Sequence, residues 1–117
     1  MLNGNSNEEV NLSDIDFPIR NLIIYLNSIE GVITTGCCSG HPQDGKARAY
    51  ISFEDTKHPN FLKLLDLFDD IGFKIVPPNY DINLWFVDII LEKGSGDVTE
   101  EDIIKFWKEI CCILQTT

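Results

Sequence analysis

Apolar and polar positions along the chain follow two periods, one typical of helices and one typical of strands. Apolar residues three and four positions apart predict three amphipathic helices, over 18–29, 59–71 and 99–114. Alternating or β-branched apolar runs predict four strands, over 31–37, 47–54, 73–76 and 83–91. The order α-β-β-α-β-β-α predicts an α+β fold, a mainly antiparallel four-stranded sheet with helices packed against it.

Residues at the ends of these segments support the boundaries. Asp16 is placed to cap the first helix, and Pro18 lies in its first turn. Gly72 ends the second helix, and Thr99, followed by three acidic residues, starts the third, as the helix dipole favours. Residues 1–12 are polar, rich in asparagine and without a period. We therefore expect a flexible N-terminal tail and one domain over 13–117.

Length and composition are those of a globular domain. The chain has 117 residues, of which 44% are hydrophobic and 24% charged. No apolar run approaches the roughly 20 residues of a membrane span, and the start lacks the pattern of a secretion signal. We expect a soluble, cytoplasmic protein with no membrane partner. The four cysteines form two adjacent pairs, Cys37-Cys38 and Cys111-Cys112, and adjacent cysteines make poor structural disulfides.

The net charge of −10 is unevenly distributed. Residues 41–63 hold four basic and three acidic residues, a net charge of +1, so the remainder carries −11. Binding to nucleic-acid phosphates requires clustered Lys and Arg, so we expect no strong binding to bare tRNA or DNA. A small anionic ligand is expected to bind beside 41–63 if it binds at all.

The segment TTGCCSGHP, residues 34–42, permits four interpretations. The first is a metal site formed by Cys37, Cys38 and His41. The two thiols lack the C-x₂-C spacing that tetrahedral zinc uses, so we expect no metal. The second is a nucleophile–base pair of Cys38 or Ser39 with His41, although the G-x-S-x-G pattern is absent.

The third interpretation is a ligand-binding turn, in which a strand that ends in small residues exposes backbone N–H groups to an anion. Ser39 would add a hydroxyl and His41 a donor, with Lys46 and Arg48 just beyond. The fourth is a plain connection between strands, with glycines that serve backbone geometry and cysteines that act as small buried groups. The residues alone leave these alternatives open.

TTGCCSGH resembles the T-T-S-S-C-S-G-R motif of the wybutosine-synthesising tRNA methyltransferase family, the third enzyme of that pathway, and of its small-domain relatives. Five residues match the motif: Thr34, Thr35, Cys38, Ser39 and Gly40. Three differ, since Gly36, Cys37 and His41 stand in place of Ser, Ser and Arg. The resemblance covers about residues 17–91 and includes the sequences GFK at 72–74 and LWFVDIIL at 84–91.

The resemblance implies a related fold, a pocket at the motif, and methyl transfer from S-adenosylmethionine to a modified guanosine of tRNA. Together with the ligand-binding interpretation it gives seven candidate ligand-binding residues: Thr35, Cys38, Ser39, Gly40, His41, Lys46 and Arg48. No catalytic residue is assigned. We expect a small nucleotide-like ligand and, if the protein is an enzyme, a methyltransferase that uses S-adenosylmethionine. The alternative is a non-enzymatic interaction module that presents its acidic surface to a protein partner.

Asp88 and the two tryptophans also bear on the site. Asp88 interrupts an apolar strand, where it either pairs with His41 and shifts the pKa of that imidazole or projects into solvent from an edge strand. Trp85 and Trp107 are expected in the core, because neither has basic neighbours at the spacing of a nucleic-acid groove.

Overall fold

The computed structural model describes residues 17–116, which form three helices and a four-stranded sheet. A 3-10 turn at Phe17–Ile19 precedes the helices and strands: α1 Arg20–Asn27, β1 Thr34–Cys38, β2 Ala47–Glu54, α2 Pro59–Ile71, β3 Lys74–Val76, β4 Leu84–Leu91 and α3 Glu100–Gln115. The predicted α+β fold and element order are confirmed. The predicted tail over 1–12 and the predicted cap Asp16 lie outside the described residues. None of the described helices has the length and apolar content needed to cross a membrane.

The sheet has the strand order β1-β2-β4-β3, and every neighbouring pair is antiparallel. β2 and β4 form its centre and pair along their full lengths. The interpretation of Asp88 as an edge-strand charge was therefore wrong. Asp88 lies on a central strand, opposite Tyr50 of β2 on one side and Lys74 of β3 on the other.

The helices pack on one face of the sheet, the inner face. The alternation predicted for β2 places Ala49, Ile51 and Phe53 there. Phe53 contacts Phe61 and Phe68 of α2, with ring centroids 5.6 and 6.2 Å apart, and buried residues of α1 and α3 complete the same core. Burial of one such aromatic side chain contributes about 1.5–3 kcal/mol, so this layer contributes strongly to the stability of the fold.

The bounds of α1 and β1 differ most from the prediction, and α1 also ends at Asn27 rather than 29. α1 begins at Arg20 rather than 18, because residues 17–19 form the 3-10 turn and Ile19 makes no side-chain cap. β1 begins at Thr34 rather than 31. The side-chain oxygen of Asn27 accepts a hydrogen bond from the Thr34 N–H at 3.1 Å, which ties the start of the strand to the end of the helix.

The ends of the other helices confirm the caps expected from the sequence. α2 runs from Pro59 to Ile71, with Gly72 as its C-cap. α3 starts at a reciprocal cap, in which the Thr99 hydroxyl accepts from the Asp102 N–H at 3.2 Å and the Asp102 carboxylate accepts from the Thr99 N–H at 2.9 Å. These hydrogen bonds and the neighbouring Lys93 hold the pKa of Asp102 below its usual value.

The opposite side of the sheet is called the open face, because none of the described helices covers it. Its side chains alternate with those of the core along the two central strands: Arg48, Tyr50, Ser52, Glu54, Leu84, Phe86, Asp88 and Ile90. Tyr50 is 38% exposed and Ile90 45% exposed. The open face therefore presents aromatic, apolar and charged groups to solvent.

Candidate functional site

The last two residues of β1, Cys37 and Cys38, lie on opposite faces of the sheet. Cys37 pairs with Ile51 and packs against the core, whereas Cys38 pairs with Tyr50 and belongs to the open face. Successive side chains of a strand point to opposite faces, which is the reason for this separation. None of the four cysteines forms a disulfide. Among residues 17–116, no group of three or more His, Cys, Asp or Glu side chains is placed to hold a metal ion.

Ser39 and Gly40 are buried. Ser39 contacts α3, and Gly40 lies close to β2. Ser39 is 2% exposed, and its carbonyl accepts a hydrogen bond from Trp107 Nε1 at 2.8 Å. Gly40 has a φ of 103°, and a Cβ added there would lie 3.3 Å from Ala47 Cβ and from the Arg48 carbonyl oxygen. Only a residue without a side chain fits this close approach in that backbone conformation.

A tight hairpin at 43–46 brings Lys46 and Arg48 back toward His41. Gln43 and Lys46 exchange two backbone hydrogen bonds, of 2.7 and 3.0 Å, around Asp44 and Gly45. Both central residues have positive φ, 55° and 83°, the geometry of a two-residue hairpin for which Asp-Gly is a preferred sequence. In the sequence, the Asp-Gly pair before an alternating strand is the signal for this hairpin, which the interpretations of residues 34–42 did not include.

The hairpin creates a depression of about 490 Å³, called the basic depression, lined by His41, Gln43, Asp44, Lys46 and Arg48. Lys46 Nζ lies 4.0 Å from a carboxylate oxygen of Glu92, and both side chains are more than half exposed. An ion pair at that distance and exposure is weak, so Lys46 stays available to an incoming anion. Three of the seven candidate ligand-binding residues therefore surround one concavity: His41, Lys46 and Arg48.

The other candidates lie elsewhere around the turn. Ser39 and Gly40 line a second depression of about 280 Å³ on the helical side, together with Phe17, Glu100 and neighbouring apolar residues, and His41 borders both concavities. Thr35 lies in an irregular stretch of β1, and its hydroxyl is 2.7 Å from that of Ser52.

Asp88 and its neighbours form a polar and aromatic group on the open face. The rings of Tyr50 and Phe86 lie 5.9 Å apart at an angle of 52°. Asp88 is opposite Tyr50, and burial raises the pKa of its carboxyl above the usual value, while Lys74 acts in the opposite direction. Sequence analysis identified Asp88 but not this group, because the strand pairing that assembles it is not local.

Comparison with protein-family models, with curated proteins and with solved structures found no match.

Proposed function

We propose that this protein is a small-ligand-binding domain that takes a nucleotide-like anion in the basic depression. The observation that carries the proposal is the grouping of His41, Lys46 and Arg48 around one concavity. The protein as a whole has a net charge of −10, so the grouping of three donors is the feature that favours an anion at this place.

The chemistry of the three donors suits a phosphate or a carboxylate. An arginine guanidinium forms paired hydrogen bonds to such groups, and a lysine ammonium adds a point charge. His41 supplies a third donor from the opposite side of the hairpin. The charge of −11 outside 41–63 repels long polyanions, so we propose a ligand of mononucleotide size rather than bare tRNA or DNA.

The resemblance of TTGCCSGH to the wybutosine-pathway methyltransferases supports a narrower proposal, that the ligand is S-adenosylmethionine and the protein a methyltransferase. When bound, S-adenosylmethionine supplies an activated methyl group on sulfur. The lining of the basic depression fits the amino-acid end of that molecule, since Arg48 and Lys46 match its carboxylate and Asp44 its ammonium. We further propose a cytoplasmic location, where the four free thiols stay reduced.

Replacement of Arg48 by glutamine is expected to weaken ligand binding about tenfold, because one charge-assisted contact is lost while an uncharged polar side chain is kept. Arg48 is exposed, so the variant should fold normally. The measurement is calorimetric titration of ribose 5-phosphate, guanosine monophosphate and S-adenosylmethionine, at two salt concentrations. Anion binding should also weaken as the salt concentration rises.

Lys63→Gln is the matched control, because Lys63 is an exposed cation of α2, a helix that packs on the inner face. It should leave the affinity unchanged. Equal affinities for the Arg48 variant and this control would contradict the proposal. Lack of binding by all three ligands would favour the alternative, an interaction module that uses its acidic surface.

A further inference from the structure

The open face continues from the basic depression without a break. Arg48 lines the depression, and Tyr50 follows it two residues later on the same strand. Residues two apart in a strand project from the same face, so the guanidinium and the phenol ring lie side by side on the open face. A ligand whose anionic group is held at Arg48 therefore has its remaining atoms next to Tyr50.

The aromatic pair on this face is suited to stacking against a planar ring. Tyr50 and Phe86 contact each other at 5.9 Å between centroids, and Tyr50 remains 38% exposed. None of the described helices covers these rings. Exposed aromatic side chains on a sheet are a common stacking surface for nucleobases, because each base offers an apolar face of similar size.

Asp88 adds an edge contact to this surface. Asp88 lies opposite Tyr50 of β2 and Lys74 of β3, and the positive charge of Lys74 favours the ionised carboxylate. Arg48 pairs with Ile90, two positions from Asp88, so the two charged residues are diagonal neighbours, which on adjacent strands are about 7–8 Å apart. Both side chains therefore lie on one face, close enough for a single mononucleotide to contact them together.

An ionised carboxylate has only acceptors, and its two oxygens can accept two parallel N–H donors. Guanine presents two such donors side by side, N1–H and the 2-amino group. Adenine and cytosine instead place one amino group beside an acceptor nitrogen, and uracil places a single N–H between two carbonyls. A carboxylate beside a stacked base therefore selects the edge with two adjacent donors.

We infer that the open face is a base-binding site, in which the ring stacks on Tyr50 with Phe86 packed beside it, and Asp88 accepts from two adjacent N–H donors of its edge. The ligand class is a purine nucleotide with a 2-amino-6-oxo edge, of which guanosine monophosphate is the simplest. The inference rests on the proposed function, because Arg48 of the basic depression holds the phosphate of the same ligand. It is an alternative to S-adenosylmethionine as that ligand, because adenine lacks two adjacent N–H donors.

Calorimetric titration of the unmodified protein with three probes tests the inference without relying on any variant. Guanosine monophosphate is expected to bind at least tenfold more tightly than adenosine monophosphate, and ribose 5-phosphate more weakly than either. Equal affinities for the two nucleotides would overturn the inference. If ribose 5-phosphate still bound and still responded to Arg48→Gln, the proposed function would stand without the base site; if neither these probes nor S-adenosylmethionine bound, both would fail.

Two substitutions then separate the contacts. Tyr50→Ala should weaken binding of guanosine monophosphate about tenfold and leave binding of ribose 5-phosphate unchanged. Asp88→Asn should abolish the preference for guanosine over adenosine monophosphate. Tyr80→Ala and Asp66→Asn are the matched controls, since both residues are exposed and lie in the 77–83 loop and in α2 respectively. A Tyr50 variant that bound guanosine monophosphate as tightly as the Tyr80 variant would also overturn the inference.

Discussion

Replacing Trp107 with phenylalanine is expected to lower the free energy of unfolding by about 2–4 kcal/mol, from the lost hydrogen bond and the smaller ring together. Trp107 is 1% exposed, and its indole N–H donates to the Ser39 carbonyl at 2.8 Å. Phenylalanine leaves that buried carbonyl without its donor and leaves a gap beside Phe73 and Phe106, whose rings lie 5.9 and 4.9 Å away. Urea unfolding followed by circular dichroism measures the loss.

Trp85→Phe is the matched control for the hydrogen bond. The Trp85 indole N–H is buried and has no hydrogen-bond partner among the described residues, although its ring packs against Phe61. Removal of an unsatisfied buried donor offsets part of the lost packing, so this substitution should cost no more than about 1 kcal/mol. If the two substitutions cost the same, the bond from Trp107 to Ser39 contributes nothing to stability.

The local features of the fold were predictable from the sequence because they depend on short-range physics. The alternation in 47–54 and the proline and glycine at either end of 59–71 led to β2 and α2 with the observed bounds. The start of β1 was not predictable in this way. It depends on a hydrogen bond from Thr34 to the side chain of Asn27, and a three-dimensional contact of that kind leaves no periodic pattern.

The strand order could not be predicted from the sequence, for a related reason. A strand that is apolar on both faces except for one acid has the same pattern at the edge and at the centre of a sheet, so Asp88 was assigned to the wrong position. Its actual neighbours are set by the pairing of β4 with β2 and β3. The Tyr50–Phe86 pair, which the inferred base site uses, depends on the same pairing.

The candidate site was predicted in part. His41, Lys46 and Arg48 line one depression, and an Asp-Gly hairpin places them there. Ser39 is buried, and its carbonyl accepts from Trp107, which is 68 positions away in the chain. No local pattern indicates such a distant partner. The role of the Ser39 hydroxyl in ligand binding stays a prediction. The motif was identified correctly as a turn, whereas the orientation of its residues required the fold.

The connection from α1 to β1 depends on a close contact with the start of α2. The Gly31 carbonyl accepts a hydrogen bond from the Thr56 hydroxyl at 2.6 Å, and the Glu30 carbonyl accepts from the Asn60 side chain at 3.0 Å. His58 caps α2, its Nδ1 accepting from the Asn60 N–H at 3.1 Å. Gly31 has a φ of 88°, and a Cβ added there would overlap the His58 side chain.

Gly31→Ala is therefore expected to lower the free energy of unfolding by about 2–4 kcal/mol, from a left-handed backbone that alanine disfavours and from displacement of the His58 cap. Urea unfolding is the measurement, and Gly94→Ala is the control. A Cβ at Gly94 meets no atom within 4 Å, so that change should be nearly neutral. In a His58→Gly background the cost of Gly31→Ala should fall to the backbone contribution of about 1 kcal/mol, because glycine removes the overlapping atoms and still serves as a cap. An undiminished cost in that background would show that the contact with His58 is not the reason for glycine at this position.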